Sequence, residues 1–333
     1  MPESFDPTSP SAPRGDLASV DVDIPANSGS GGGSSAAAPI EDLDFRPPSA
    51  PEPITGPGRR SLVSQLDAGF WVAAGICVLW ILASIFAGLL PLKNPSALDF
   101  SDLSGAINAA HPLGTDPTGR DTLSRVIFAS RVSLTIGFVS VAAGLLVGGA
   151  LGVICGYFRG WLDRVFTILT NVFLSFPLLV LAIVLVTFLG HNEWTIVAII
   201  AIVAWPLLFR VVRAATIEYS QREYVLAAQA LGSKPTRILQ TLIIPDVIPS
   251  AITYGLLGVP LAIVAEGALS FLGQSVPTTT PTWGNMIEEG FDNIHGYTTL
   301  MIVASVAMFS FILPINYVGD KLRQVLDVRQ GAI

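Results

Sequence analysis

One carboxylate, Glu266, lies within a long apolar stretch, residues 247–272. A charged group is costly in such surroundings, so its side chain should face a helix bundle, a water-filled cavity or a partner helix. Glu266 would then act as a gate or contact a substrate amine along a transport pathway. The alternative is a structural hydrogen bond, for which Ser270 and Trp283 are nearby donors.

Two polar stretches carry clustered charge. Their members are Asp116, Arg120, Asp121 and Arg125 in the first, and Glu288, Glu289 and Asp292 in the second. Either cluster could contact a partner protein, and the first could also line a substrate entrance. For the first cluster the alternative is mutual pairing, because Asp121 and Arg125 have the i, i+4 spacing that joins opposite charges on a helix. For the second cluster the alternative is a solvated acidic surface.

The cysteines and histidines do not form a reactive or metal-binding set. Cys77 and Cys155 lie far apart in apolar runs, where free cysteine behaves as a small buried hydrophobe. His111, His191 and His295 are scattered, without the spacing of metal ligands. The sequence therefore predicts no metal site, no cofactor and no catalytic residue.

The elements that position these residues are membrane helices. Of the 333 residues, 51% are hydrophobic and 13% are charged, against about a quarter charged in soluble domains. A spanning helix needs about 20 mostly apolar residues. Six segments meet or approach this length: 70–90, 132–156, 165–189, 194–212, 247–272 and 297–318. We therefore predict an all-α polytopic membrane protein with six transmembrane helices in the lipid bilayer.

The chain divides into three parts. Residues 1–60 are rich in Pro, Ser, Gly and acidic residues. This composition buries too little apolar surface to fold and predicts a disordered tail. Residues 61–131 hold the first helix and a long outer loop, and residues 132–330 hold the other five helices with a polar loop at 213–246.

Lys and Arg in the loops predict the orientation, because cytoplasmic loops are enriched in them. With the N-terminus inside, twelve basic residues from Arg59 onwards fall on the cytoplasmic side and four fall outside. Both termini and loop 213–246 are therefore expected in the cytoplasm. The net charge of −7 comes mainly from the tail, with nine acidic and four basic residues, and it does not indicate a nucleic-acid partner.

Residues 223–245, the coupling loop, have the pattern of a short helix, a turn and a second helix. One mildly apolar helical face is formed by Tyr224, Ala227, Ala228 and Leu231. Gly232 suits the left-handed position that ends a helix. Pro235 is favoured at the start of the next helix, which runs to about Pro245.

Two interpretations of the coupling loop are open. It rests on lipid headgroups as an amphipathic interfacial helix, or its small side chains let a partner protein approach closely. Alanine contributes little apolar burial to membrane binding, which favours the protein partner.

The coupling loop resembles the EAA motif of bacterial ABC-importer permeases, whose pattern is E-A-A, three residues, G, nine residues, I-x-L-P. The matching positions hold Ala227, Ala228, Gly232, Leu242, Ile244 and Pro245. Leu226 replaces the glutamate, and Glu223 lies one turn earlier. Five further stretches are similar to the C subunits of dipeptide and oligopeptide permeases: HPLGTDPTGRDTLSRVIFASRVSL (111–134), GYFRGWLD (156–163), AEGALSFLGQSV (265–276), TPTWGNMI (280–287) and GDKLRQVLDVR (319–329).

The resemblance, which covers residues 65 to 330, implies a type I ABC-importer permease fold in the bacterial inner membrane. It implies one of two different permeases of an ATP-driven importer for short peptides. The implied partners are the second permease, two cytoplasmic ATPases and an extracytoplasmic binding protein. ATPase contact is expected at Glu223, Tyr224, Ala227, Ala228, Leu231, Gly232 and Pro245. Binding-protein contact is expected at Asp116, Arg120, Glu288 and Glu289.

The chain itself is not expected to be an enzyme, because it lacks the phosphate-binding pattern G-x-x-x-x-G-K-[ST]. Permeases for nickel and glutathione belong to the same group, so another small solute is the alternative substrate. A stand-alone secondary transporter is a weaker alternative, since it needs an ionisable relay or a pair of broken helices near the midplane. An intramembrane hydrolase is weaker still, because the spans hold no paired catalytic residues.

Overall fold

A computed structural model describes residues 66–99, 103, 105–294 and 298–330, with side chains up to residue 326. Within these ranges the chain is helical, apart from loops and one isolated antiparallel bridge between Thr115 and Asp121. The tail predicted to be disordered, residues 1–60, lies outside the described residues.

The described helices occur in the following order. They are α1 (Ala68–Phe86), α2 (Thr122–Phe158), α3 (Gly160–Ser175), α4 (Leu178–Leu189), α5 (Glu193–Ser220), α6 (Glu223–Ala230), α7 (Pro235–Ile238), α8 (Ile244–Phe271), α9 (Trp283–Asp292) and α10 (Thr299–Gln330). A π-helical turn, Leu239–Ile243, joins α7 to α8 without a break in the helical path.

In the part of the chain that the structure describes, five helices are long and apolar enough to cross a bilayer. They are α1, α2, α5, α10 and the continuous helix from α7 through α8. The sixth predicted span, residues 165–189, is not one helix. It consists of α3 and α4, which are bent by 92° relative to each other, and it counts as a sixth crossing only if the bent pair is one span.

The break between α3 and α4 has a local cause. Pro177 has no backbone N–H and its ring disfavours helical geometry at the preceding residue. Phe176 accordingly has extended backbone angles, φ −88° and ψ 138°. The apolar run alone predicts one uninterrupted segment over residues 165–189, and Pro177 divides that segment into α3 and α4.

Helix α2 begins ten residues earlier than the predicted span. The carboxylate of Asp121 accepts a hydrogen bond from the backbone N–H of Ser124, which caps the helix at Thr122. The first two and a half turns carry Arg125 and Arg131, and for this reason hydropathy alone did not include them. This polar end of α2 becomes part of the site described below.

Helices α2 and α5 approach each other closely enough to require glycine. A Cβ atom added to Gly148 would lie 2.5 Å from the carbonyl oxygen of Trp205 on α5. At Gly152 the nearest atom would be the carbonyl oxygen of Phe209, at 2.9 Å. Backbone packing of this kind is typical of helix pairs in membranes. No hydrophobic effect drives helices together in lipid, and small side chains let them pack closely instead.

The outer surface of the bundle carries large apolar side chains. Leu79, Leu146 and Phe188 are each more than 60% exposed, on α1, α2 and α4. Exposure of so large an apolar surface to water is unfavourable, whereas its contact with lipid is not. The interior is packed around buried residues such as Ile263, Trp283 and Phe311, which bring α8, α9 and α10 together.

Candidate functional site

Helix α6 ends in the turn that the sequence predicted. Gly232 has φ +74°, the left-handed conformation that glycine adopts without steric cost. The N–H of Gly232 donates to the carbonyl of Gln229 (2.9 Å), and the N–H of Ser233 donates to the carbonyl of Ala228 (3.1 Å). These two bonds form a Schellman motif, which fixes the angle at which the chain leaves α6.

One side of α6 packs on the rest of the chain and the other side is free. Val225 is fully buried among residues of α5, α7 and α8, and Ala228 is half-buried beside it. The exposed side carries Glu223, Leu226 and Ala227. The sequence pattern did not identify Val225 as the anchor, because one buried residue in a short helix produces no repeating apolar pattern.

Tyr224 anchors α6 to the start of α8. Its hydroxyl donates a hydrogen bond of 2.5 Å to the carboxylate of Asp246, in the first turn of α8. Partial burial and this bond to a carboxylate raise the pKa of Tyr224 to about 12. The hydroxyl therefore stays protonated and donates throughout the physiological range. The sequence singled out Tyr224 but gave no signal for Asp246.

The coupling loop continues directly into a membrane-spanning helix. Pro235 occupies the first position of α7, where its missing N–H costs nothing. The π-helical turn then leads into α8, and Pro245 lies in the first turn of α8. Helical structure is therefore continuous from Pro235 into α8.

Glu266, near the far end of α8, is completely buried. Its Oε1 atom accepts hydrogen bonds from the hydroxyls of Ser270 (2.9 Å), Ser275 (3.0 Å) and Thr282 (3.0 Å). Its Oε2 atom has no hydrogen-bond partner among the described residues. Ser270 is one of the two donors suggested by the sequence. The other, Trp283, donates instead to the carbonyl of Val126 on α2 (3.2 Å).

A second polar group, the charged cluster, consists of Asp116, Arg120, Arg125 and Glu289. Arg125 is 1% exposed and donates from two guanidinium nitrogens to Glu289, at 2.7 and 3.0 Å. It also contacts the fully buried Asp116. Arg120 bonds to Asp116 (2.6 Å) and to Glu289 (2.8 Å). The cluster thus ties the loop before α2 to α9.

Two expectations about these charges are corrected. Arg125 pairs with Asp116 and Glu289 and not with Asp121, because Asp121 is used as the cap of α2. Glu289 does not belong to a solvated acidic surface, since two arginines cover it. Neither pairing has a helical period, and the partners of Arg125 lie 9 and 164 residues away.

Asp121 has a further partner that the sequence did not suggest. The Nδ1 atom of His111 lies 2.9 Å from the carboxylate of Asp121, and its Nε2 atom lies 3.0 Å from Nζ of Lys93. An ammonium group can only donate, so this arrangement assigns the acceptor role to Nε2 of His111 and the donor role to Nδ1. His111, 3% exposed, therefore fixes the loop structurally and is not positioned as a metal ligand.

The surroundings of Asp116 and Asp121 keep both carboxylates ionised. Burial alone would raise the pKa of Asp116. Hydrogen bonds from the Arg120 N–H and from Thr118, with the charges of Arg125 and Arg120, outweigh burial and lower that pKa. For Asp121, burial is likewise outweighed by the bonds from Ser124 and His111, so its pKa is also lowered.

The remaining acidic residues of α9 are half-buried Glu288 and exposed Asp292. Burial, and then the neighbouring charges of Asp292 and Glu289, raise the pKa of Glu288. Asp292 is exposed at the end of α9, and Ile294, two residues further on, is exposed as well. Of the four residues predicted to contact a binding protein, Arg120 bonds to both Asp116 and Glu289, and Glu288 has no ion pair among the described residues.

Comparison with known proteins decides the family. The family described as "Binding-protein-dependent transport system inner membrane component" matches residues 148–330. This chain belongs to that family. It is therefore a permease component of an importer, embedded in the bacterial inner membrane by several spans.

Relatives and solved structures agree with this membership. The permease is 33% identical over 258 residues to "Glutathione transport system permease protein GsiD" of Pectobacterium atrosepticum, covering 77% of this chain and 86% of the relative. It is 32% identical over 270 residues to "Dipeptide transport system permease protein DppC" of Alkalihalophilus pseudofirmus, covering 80% and 89%. An inward-facing structure of the MetNI methionine ABC transporter has the same fold, with a TM-score of 0.52 and 19% sequence identity. The match covers 60% of this chain and 96% of the other chain.

The family match covers some of the polar residues described above and not others. Residues 148–330 contain α6, α8 and α9, with Glu266 and Glu289. The match begins after Asp116, Arg120 and Arg125, so three of the four residues of the charged cluster precede it.

Proposed function

We propose that this chain is one of two different permeases that form the pathway of an ATP-driven importer for short peptides. The observation that carries the proposal is α6: a short helix with a small exposed side, anchored through Val225 and Tyr224 to the base of a spanning helix. Within a family of binding-protein-dependent importers, this element is the one suited to receive force from an ATPase.

The ATPase would contact the exposed side of α6 and its C-terminal turn. Ala227 offers only a methyl group, so a partner surface can approach the helix backbone. Leu231, 86% exposed, is suited to fill a pocket of that partner. Tyr224, Gly232 and Pro245 would hold α6 at its angle to α8. Half-buried Ala228 would determine how closely α6 packs on the neighbouring helices.

The force would pass along a rigid path. Docked ATPases move α6, α6 moves α8 through Tyr224 and Asp246, and α8 tilts within the bundle. Alternating access of the pathway follows from this tilt. The chain has no phosphate-binding pattern, so we assign ATP hydrolysis to two partner subunits.

The substrate class is inferred from the relatives. One transports glutathione and one transports dipeptides, by their names. Both substrates are short peptides with a free carboxylate and a free amine, which favours a short peptide over nickel. A stand-alone secondary transporter is not favoured: the described residues contain one broken span, not a pair, and apolar residues such as Leu174 and Leu178 flank its break.

The loop charges favour an orientation with α6 and both termini in the cytoplasm and α9 outside. An extracytoplasmic binding protein would then meet α9, where Glu288 and Asp292 are not paired with a basic residue of the described chain. Asp116, Arg120 and Glu289 would shape this surface from beneath. Glu266 would support the structure behind α9, and a role as a gate is the alternative.

Two measurements test the proposal together. The subunit is deleted in its host, and uptake of labelled di- to pentapeptides is compared with the parent strain. We expect loss of uptake for at least one peptide length, restored by the cloned gene. The tagged chain, purified in mild detergent, should retain a second permease and ATPase subunits. Unchanged peptide uptake, or purification of a lone chain, would contradict the proposal.

A further inference from the structure

Glu266 joins α8 to a segment outside α8. Of the three hydroxyls that donate to its Oε1 atom, only Ser270 belongs to the same helix. Ser275 lies in the loop after α8, and Thr282 lies at the end of that loop. Two of the three bonds therefore cross from α8 to another element, and all four side chains are at most 5% exposed.

The crossing bonds determine where α9 begins. Thr282 is the N-cap of α9: its hydroxyl oxygen accepts from the N–H of Asn285 (3.1 Å), while its own N–H donates to the Asn285 side chain (2.9 Å). The same hydroxyl donates to Glu266. Glu266 thus holds the N-cap residue of α9 through a bond at a site that is closed to solvent.

Backbone packing holds α8 and α9 together at the same place. A Cβ atom added to Gly284, in the first turn of α9, would lie 2.6 Å from the Cα atom of Gly267 on α8. The two helices therefore touch through their backbones, one residue beyond Glu266. Such a contact leaves no room for α9 to slide over α8.

The other end of α9 is held as well. Glu289 binds the buried Arg125 near the start of α2 through two nitrogens. Helix α9 is consequently fixed at its N-cap to α8 and, two turns later, to α2. The outer ends of α2 and α8 and the whole of α9 form one block.

Helix α8 connects this block to the coupling loop. Asp246, which binds Tyr224 of α6, and Glu266 are 20 residues apart on the same continuous helix, which spans Ile244–Phe271. At a rise of 1.5 Å per residue they are separated by about 30 Å, the thickness of the hydrocarbon core. Helices α6 and α9 are therefore attached to the two ends of one helix, which continues through Pro249 and Pro260.

We propose that Glu266 is the positioning residue through which movement of α6 is carried along α8 to α9, so that the outward surface reports the state of the ATPases. This rests on the proposed function. Phe291 and Asp292 of α9 and Ile294 just beyond it are exposed, and they form the surface that would change its position toward the binding protein. By reciprocity of binding free energies, a binding protein seated there acts through Glu266 on the docking of the ATPases at α6. A change in that docking would in turn alter the rate of ATP hydrolysis.

We call this transmission from α6 through Glu266 to α9 the relay. A matched pair of serine variants distinguishes the relay from a role of Glu266 in stabilising the fold alone. Ser275→Ala and Ser270→Ala each remove one buried hydroxyl from the same oxygen of Glu266, at 3.0 and 2.9 Å. Only the Ser275 bond crosses between elements. The complete complex is reconstituted in proteoliposomes, and ATP hydrolysis is measured with and without the importer's own binding protein, loaded with a peptide found in the uptake assay.

The relay predicts a difference between the two variants. Ser270→Ala should keep the stimulation by binding protein within about twofold of wild type. Ser275→Ala should lose at least about fivefold of it while hydrolysis without binding protein is unchanged, as expected for about 1 kcal/mol of lost coupling. Equal stimulation in the two variants, whether retained or lost, would overturn the relay.

A second pair tests the bond at α9 itself. Thr282→Ser keeps the hydroxyl, whereas Thr282→Val removes it with little change of shape. Stimulation should survive in the first and fall in the second, and equal values would again overturn the relay. If wild type hydrolyses ATP and imports peptide but these pairs do not differ, only the relay fails. If the wild-type complex lacks ATP-driven uptake, the proposed function fails.

Discussion

The hydroxyl of Tyr224 donates a 2.5 Å hydrogen bond to Asp246, which joins the short helix α6 to the first turn of the spanning helix α8. Tyr224→Phe removes this bond and keeps the ring. We expect uptake to fall about fivefold to tenfold, because α6 would move without displacing α8 to the same extent, as for the loss of about 1 kcal/mol. Peptide uptake measured against membrane levels of the subunit checks this.

A tyrosine elsewhere in the chain provides the control for that change. The hydroxyl of Tyr317 on α10 donates to Asp67 at 2.8 Å, a bond of the same type that lies far from the coupling loop along the chain. Tyr317→Phe should leave uptake within about twofold of wild type. Equal losses in the two variants would show that Tyr224 has no specific part in coupling.

Gly232 gives a second prediction, based on backbone conformation. Its φ of +74° disfavours any residue with a branched Cβ, although a Cβ atom would meet no neighbour within 4 Å. Gly232→Val should therefore disturb the turn, at a cost of about 1–2 kcal/mol, and abolish most uptake without preventing membrane insertion. Gly232→Asn is the control, because asparagine tolerates this conformation. Full uptake in the valine variant would argue against a fixed angle of α6.

The replacement of the EAA glutamate by Leu226 leads to a third prediction. Glu223 is exposed on α6, one turn before Leu226, and side chains three apart on a helix are neighbours. If Glu223 supplies the carboxylate, Glu223→Gln should lower uptake about tenfold, and adding Leu226→Glu should restore it. Wild-type uptake in Glu223→Gln would show that the ATPase contact of this chain does not use a carboxylate.

The charged cluster gives a prediction about stability. Glu289→Gln leaves the buried guanidinium of Arg125 with fewer charged partners, and breaking a buried pair costs roughly 3 kcal/mol. The melting temperature of the purified chain in detergent should fall by several degrees. Glu288→Gln, at the adjacent position and without an ion pair in the described residues, should change it little. Equal melting temperatures would mean that the cluster does not stabilise α9.

Much of this architecture could be predicted from the sequence, since it depends on local patterns. Hydropathy located the spanning segments, and the turn at Gly232 followed from the conformational freedom of glycine. The break at Pro177 also had a local signal, but the apolar run around it was given more weight. Local rules of this kind decide where helices begin and end.

The bonds between distant segments could not be predicted in the same way. Arg125 and Glu289 are 164 residues apart, and Thr282 reaches Glu266 across a loop. Only the packing of α2, α8 and α9 brings these groups together. The i, i+4 rule assigned Arg125 to Asp121 because it considers neighbours on one helix, whereas the fold offered two better-placed carboxylates.

The contact between α6 and an ATPase can be measured directly by photo-crosslinking. A photoreactive amino acid is placed at Leu231, which is 86% exposed next to α6, and at Leu89, which is 81% exposed beyond α1. Irradiation of the complete complex in membranes should join Leu231, and not Leu89, to an ATPase subunit. Crosslinks from Leu231 to lipid alone, or equal crosslinking from both positions, would contradict docking of an ATPase on the coupling loop.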